Sequence, residues 1–181
     1  MKVLLINLCA DPLSELEFVR PMEQILNKIG ANLLIKRYTE VNLKEADSAE
    51  KVIICGSALK DNKFLSGEWF SWLKACNTPI LGVGSGFHVI AKIFDCNLFD
   101  KTKIGVYKVR VIRENKLVDK KDFQAYLLTR RVAKVTKPLE PLAMVKALEC
   151  MVKHESKEIY GCLFHPEVMN QNIITNFALK I

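Results

Sequence analysis

The chain has 181 residues, of which 50% are hydrophobic and 26% are charged, a composition typical of one globular domain covering residues 1–181. No run approaches the ~20 consecutive apolar residues that cross a bilayer, so we expect no membrane span. The net charge of +7 is interpreted as scattered lysines on a solvated surface. Because no aromatic residues interleave a basic stripe, nucleic-acid binding is a weaker hypothesis.

Six cysteines are spread along the chain, and none forms the Cys-x-x-Cys pairs of zinc or redox sites. Most of them lie in apolar runs, which predicts reduced, buried thiols and no metal site. The first residues, Lys2–Leu8, form an apolar run that is too short for a secretory signal and is typical of a strand. We therefore expect a cytoplasmic protein.

Strands and helices alternate in the first half of the chain. The predicted strands are Lys2–Leu8, Ala31–Tyr38, Lys51–Cys55 and Pro79–Val83, and the predicted helices are Pro21–Ile29, Ser66–Cys76 and Gly86–Phe94. In the second of these helices, Trp69, Phe70 and Leu73 should face the core. This alternation predicts a parallel sheet with right-handed crossovers.

The second half of the chain has a different pattern, with short β-rich segments separated by turns. The predicted strands are Ile104–Glu114, Leu117–Val118, Gln124–Thr129, further strands within Met144–His154, and Ile159–Phe164. A terminal helix is predicted over Asn172–Leu179. The chain is thus expected to be an α/β protein.

Three short segments follow predicted strands and carry residues suited to chemistry. They are Gly56-Ser57-Ala58, Gly84-Ser85-Gly86 and His165-Pro166-Glu167. Sites in open parallel sheets form at the carboxyl ends of the strands, so these segments should converge there.

The segment Tyr160–Glu167 reads YGCLFHPE, and the stretch PILGVGSGFH from Pro79 to His88 reads as a strand that enters a glycine-rich turn. Together these motifs resemble the class I glutamine amidotransferases, whose members carry tyrosine-glycine-x-glutamine-phenylalanine-histidine-proline-glutamate. The resemblance extends from the first strand to the last helix. It implies a three-layer, flavodoxin-like fold, in which helices cover both faces of a mostly parallel sheet.

The resemblance also implies a chemistry. In the family, a cysteine at the turn attacks the side-chain amide of glutamine, a histidine accepts its proton, and a glutamate orients that histidine. His165 takes the position of the base and Glu167 the position of the orienting residue. The turn at Gly56 resembles the loop that helps to form the oxyanion hole. Ammonia then passes to a synthetase partner, and no cofactor is implied.

Several family positions are altered in this chain. The position of the nucleophile is occupied by Gly84, and the glutamine that follows the turn in the family is replaced by His88. The family's serine-histidine-x-aspartate stretch aligns with residues 129–132, which read TRRV. A glycine in place of the cysteine should leave room at the pocket floor.

Two hypotheses follow. In the first, the chain is a pseudo-enzyme without glutaminase activity, which binds a synthetase-type subunit or a small anionic ligand. The pocket for such a ligand would involve Gly56, Ser57, Gly86 and His88. In the alternative, His165 and Glu167 serve a hydrolase or amidotransferase of altered chemistry, with Ser85 or a strand-end cysteine, Cys9 or Cys55, as nucleophile. Hydrogen bonding between one of these groups and His165 would favour the enzyme.

Overall fold

A computed structural model describes all residues, 1–181. It contains nine strands: β1 (Lys2–Asn7), β2 (Asn32–Arg37), β3 (Lys51–Ile54), β4 (Ile80–Val83), β5 (Asn97–Val111), β6 (Asp122–Lys134), β7 (Leu139–Val145), β8 (Leu148–His154) and β9 (Ile159–Cys162). It contains five α-helices: α1 (Pro12–Phe18), α2 (Arg20–Lys28), α3 (Leu43–Asp47), α4 (Ser85–Ile93) and α5 (Asn172–Lys180). None of the helices is long and apolar enough to cross a membrane.

All nine strands form one mixed sheet, in the order β2-β1-β3-β4-β9-β8-β7-β5-β6. Neighbours from β2 to β9 are parallel, whereas neighbours from β9 to β6 are antiparallel. The α/β class is therefore confirmed, but the sheet is not mostly parallel. Parallel neighbours need long crossovers, and the short connections β7–β8 and β8–β9 allow only antiparallel pairing.

The central strands β3, β4 and β9 of the parallel half are buried apart from Lys51, as their continuous hydrophobic runs predict. Side chains on β9 show how they are covered. A Cβ on Gly161 would touch Phe87 of α4, while the ring of the preceding Tyr160 lies 6.3 Å from Phe177 of α5. Because consecutive strand residues point to opposite faces, α4 and α5 cover opposite sides of the sheet.

The predicted helix Ser66–Cys76 is wrong. This segment contains only a short 3₁₀ turn, Ser71–Lys74, and Gly67 adopts a φ of +83° that interrupts any helix. Phe70 and Leu73 are buried as expected, but Trp69 is 43% exposed because it does not lie on a helical face with them.

The sequence analysis also missed α1 and α3. Both are short and depend on their caps: the Asp11 side chain accepts the Leu13 N–H before α1, and the Asn42 side chain accepts two N–H groups before α3. Helices of 7 and 5 residues show too few turns for a periodic apolar pattern to be recognised.

In the second half, the short predicted strands merge into one long hairpin. β5 has 15 residues and β6 has 13, with one extra residue in β5 between Asp100 and Lys103. Leu117 and Val118 are buried but not in a strand. The Asn115 side chain accepts both of their N–H groups and holds them in a turn.

Candidate active site

The three segments singled out in the sequence lie together at the carboxyl ends of β3, β4 and β9. These strands are adjacent in the sheet and in register, with Ile54 opposite Gly82 and Val83 opposite Cys162. The chain therefore leaves each strand at a similar height. Gly56, Gly84 and His165 consequently approach one another closely.

His165 and Glu167 form a buried pair. Nδ1 of His165 lies 2.7 Å from Oε1 of Glu167, and the two residues are 2% and 4% exposed. The backbone N–H of His165 donates to the carbonyl of Tyr126 on β6, which fixes the start of this turn. The second nitrogen, Nε2, and the second carboxylate oxygen, Oε2, have no hydrogen-bond partner.

The turn between β4 and α4 requires glycine at three positions. A Cβ on Gly82 would overlap the carbonyl of Gly86, and a Cβ on Gly86 would overlap the carbonyl of Ile54. Gly84 has φ +53° and ψ −108°, a conformation that L side chains rarely adopt. This close packing of helix against strand produces the sharp turn that the sequence pattern predicted.

The imidazole of His165 occupies the space beside Gly84. A Cβ on Gly84 would lie 2.6 Å from Cε1 and 2.8 Å from Nε2 of His165, and a Cβ on Gly56 would lie 2.8 Å from Cε1. The ring is thus held between two glycine backbones. The expected room at the pocket floor is absent, because the histidine fills it.

None of the three substitute nucleophiles is hydrogen-bonded to His165. The Ser85 hydroxyl lies 2.7 Å from the Ser57 hydroxyl, and the Cys9 thiol lies 3.9 Å from the Gly56 carbonyl. Burial raises the pKa of Cys9 to about 12 and raises the pKa of Cys55 well above its ordinary value. Both thiols are therefore protonated and poorly nucleophilic near neutral pH.

His88 connects α4 to β6 and is not hydrogen-bonded to His165 or Glu167. Its Nε2 donates to the Arg131 carbonyl at 3.0 Å and lies 3.3 Å from the Thr129 hydroxyl. Burial lowers the pKa of His88 to about 4, so the ring is neutral at pH 7. No group of three or more His, Cys, Asp or Glu side chains is placed to share a metal ion.

A cavity of about 400 Å³ opens next to the turn. Ser57, Ser85 and His88 are in its wall, whereas Gly56, Gly86 and His165 lie outside the lining. The predicted pocket residues are thus divided, because Gly56 packs against His165 and Gly86 against Ile54.

Charged residues outside the predicted pocket also line this cavity. They are Lys60, Arg130, Arg131, Asp61 and Asp100. Arg131 pairs with Asp100 at 3.5 Å and Lys60 with Asp11 at 3.9 Å, while Arg130 has no carboxylate partner. Arg130 and Arg131 belong to the segment 129–132, which the sequence analysis aligned with a family motif, whereas Lys60, Asp61 and Asp100 lie in no motif that was recognised.

The sequence of the chain is similar to those of known proteins. Residues 14–180 match the model of glutamine amidotransferase class-I. The chain is 25% identical over 173 residues to a subunit of the glutamine-hydrolysing GMP synthase of Pyrococcus furiosus, covering 90% of this chain and 92% of the relative. It is 31% identical to the subunit of the same name from Pyrococcus abyssi over 114 residues, which are 56% of this chain and 60% of that relative.

Solved structures share the fold. A Thermoplasma acidophilum protein assigned as a GMP synthase subunit superposes with a TM-score of 0.85 at 18% identity, over 98% of this chain and 92% of that one. A glutamine amidotransferase from Thermotoga maritima gives a TM-score of 0.72 at 17% identity, over 95% of this chain and 78% of that one. With nearly its whole length matched by the family model, the chain belongs to the class I glutamine amidotransferase family.

Proposed function

We propose that this amidotransferase-like protein has lost glutaminase activity and acts by binding. The observation that carries the proposal is the position of His165. Its free nitrogen faces the backbone of Gly84, where the family has a cysteine, and no other hydroxyl or thiol is its partner. Because Nε2 has only the Gly84 backbone beside it, His165 has no nucleophile from which to accept a proton.

The loss of turnover expected when a triad lacks its nucleophile supports this proposal. Removing the nucleophile from a catalytic triad lowers turnover by about 10⁶-fold, while the remaining site contributes only about 10³–10⁴-fold over water. His165 and Glu167 are in this proposal a retained base and its orienting residue, and Gly84 is the vacant position of the nucleophile. Glutamine hydrolysis at a useful rate is then not expected.

The alternative enzyme needs Ser85, Cys9 or Cys55 as its nucleophile. The hydroxyl of Ser85 is engaged with Ser57, and the pKa of each thiol is raised by burial. Ser85 would have to leave Ser57, and Cys9 the Gly56 carbonyl, before either could reach His165. These contacts favour the binding function over altered catalysis.

The partner that we propose is a synthetase-type subunit. The relatives are each named as one subunit of a glutamine-hydrolysing GMP synthase, and this chain covers 92% of the first of them. The cavity beside Ser57 and Ser85 is the proposed place for a small anionic ligand, because Arg130 lines it without a carboxylate partner. The six free, buried cysteines agree with a reducing, cytoplasmic setting.

An electrophilic glutamine analogue tests the loss of the nucleophile. A chloroketone analogue of glutamine alkylates a thiol or hydroxyl that a nearby base activates, and the intact mass of the protein reports the adduct. We expect no adduct on the native chain. An adduct that peptide mapping places on Ser85, Cys9 or Cys55 of the native chain, and that is absent from His165→Ala, would overturn the proposal and identify the hidden nucleophile. Alkylation of His165 itself would be compatible with the proposal, because the imidazole is then the group that reacts.

A further inference from the structure

The positive charge of the chain is concentrated in one part of the fold. Residues 97–134, which comprise β5, β6 and their connection, contain 11 Lys and Arg against 4 Asp and Glu, a net charge of +7. The whole chain contains 27 against 20, also +7, so the rest carries 16 of each sign and is neutral. The sequence analysis described these charges as scattered, and the hairpin instead gathers them.

One face of this hairpin combines basic and apolar side chains. Ile104 and Val106 are 52% and 53% exposed, and Lys108 and Arg110 follow them on the same face of β5, since alternate residues share a face. We call these four residues the ribbon face. On the opposite face Val109 is fully buried at 0% exposure, and Tyr107 is partly buried.

The ribbon face continues onto β6. Ile104 lies opposite Leu128, and Val106 lies opposite Tyr126. Lys108 pairs with Asp122 at 3.2 Å, while Arg110 has no carboxylate within ion-pair distance. The centre of the surface is therefore apolar, and its rim carries Arg110, which lies opposite Asp122 in the register but forms no ion pair.

We propose that the ribbon face is the docking surface for a protein partner with an apolar centre and an acidic rim. This inference rests on the proposed binding function and specifies where the partner sits. Interfaces of this kind have an apolar core and complementary charges at the rim. The exposed Ile104 and Val106 supply the core, and Arg110 supplies the charge.

The charge and composition of the hairpin also argue against two other binding partners for the ribbon face, namely a second copy of this chain and nucleic acid. A second copy of this chain would bring a hairpin of net charge +7 against another of the same charge, which is repulsive. Nucleic acid would match the charge, but single strands are bound through stacked aromatic rings. At the centre of the ribbon face, Ile104 and Val106 are aliphatic and only Tyr126 opposite Val106 is aromatic, so successive bases would find no series of rings, and a protein surface matches this centre better.

The surface adjoins the candidate active site. Leu128, opposite Ile104 on the ribbon, also lines the cavity beside Ser57 and Ser85, and so does Arg130. A partner on the ribbon face would therefore sit at the mouth of this cavity. Ligand binding there and partner docking would affect each other through shared residues.

The test uses the double variant Ile104→Glu/Val106→Glu and a matched control. Ile35→Glu introduces one glutamate, against two in the double variant, at an exposed isoleucine, 42% accessible, on β2 at the other end of the sheet. The probe is the purified synthetase subunit of a two-subunit GMP synthase from the same genome, and binding is measured by calorimetry. Circular dichroism and thermal melting verify that each variant is folded.

We expect the native chain and Ile35→Glu to bind equally and the double variant to bind about tenfold or more weakly, as for a hot-spot pair. Equal binding by the double variant would overturn the inference while leaving the proposed function intact. No binding by the native chain would remove the proposed partner as well.

Two further measurements test whether nucleic acid or a second copy of the chain binds the ribbon face instead. A short DNA duplex of random sequence is titrated at low salt, and the association state of the free chain is measured by sedimentation. Duplex binding that Lys108→Glu/Arg110→Glu abolishes, with no synthetase binding, would overturn the inference in favour of nucleic acid. A dimer that Ile104→Glu/Val106→Glu dissociates would overturn it in favour of self-association.

Discussion

Replacing Gly84 by alanine adds one methyl group in the space that the imidazole of His165 fills. The new Cβ would lie 2.6 Å from Cε1 and 2.8 Å from Nε2 of His165, well inside van der Waals contact. The backbone at this position has φ +53°, which an L residue adopts only with strain. The substitution therefore combines a backbone cost with a steric overlap.

The magnitude follows from these two costs. A residue held in a sparsely populated backbone region costs about 1–3 kcal/mol, and forcing an extra methyl group into a packed site costs about 1–3 kcal/mol more. We expect Gly84→Ala to lower the free energy of unfolding by about 2–6 kcal/mol. Gly30→Ala is the matched control, since Gly30 has φ +73° with nothing within 4 Å of its added Cβ, and should cost only about 1–2 kcal/mol.

A double-mutant cycle with His165→Ala isolates the overlap. Removing the imidazole takes away the atoms that the Gly84 Cβ would meet, so Gly84→Ala should cost about 1–3 kcal/mol less in the His165→Ala background. Free energies of unfolding are measured by urea denaturation for the four proteins of the cycle. Additive costs, or equal costs for Gly84→Ala and Gly30→Ala, would refute the placement of the histidine against the glycine.

Three further predictions concern the surrounding residues. Because burial lowers the pKa of His88 from 6.5 to about 4, its neutral form stabilises the fold fully above pH 6.5, and this contribution is lost as the pH falls to about 4. The unfolding free energy of the native chain should drop over that range by about 3 kcal/mol more than that of His88→Gln, and parallel pH curves would contradict this. Cys9 and Cys55 should resist alkylation by iodoacetamide at pH 8 in the folded protein and should react once the protein is unfolded in urea. Peptide mass measurement reports the labelled residues, and rapid labelling of either thiol in the folded protein would contradict this prediction. Ser85→Ala should cost about 0.5–1.5 kcal/mol of stability through its lost hydrogen bond with Ser57, and should leave any hydrolysis of an activated ester unchanged, whereas a large fall in that hydrolysis relative to Ser57→Ala would favour the serine-based alternative.

The parts of the fold that the sequence predicted well are those with strong local patterns. The run Ile159–Phe164 is continuously apolar and stops at His165, so its strand and the site residue at its end could both be recognised. The glycines of PILGVGSGFH likewise marked a sharp strand-to-helix turn, because close packing leaves no room for Cβ atoms on Gly82 and Gly86.

The failures have a different origin. Whether residues 66–76 form a helix depends on Gly67, whose positive φ no periodicity reveals. The space beside Gly84 could not be judged from its missing side chain, since the position of the His165 ring depends on tertiary packing. The ribbon face depends on the register of a long hairpin, which brings Ile104 opposite Leu128 although they lie far apart in sequence.

The central claim is that no nucleophile in this chain is activated by His165, and ammonia release from glutamine tests it most directly. The purified native chain is incubated with glutamine, both by itself and with the synthetase subunit, beside His165→Ala under the same conditions. We expect the native chain to release no more ammonia than His165→Ala in either setting. Repeated turnover by the native chain that His165→Ala abolishes would contradict it.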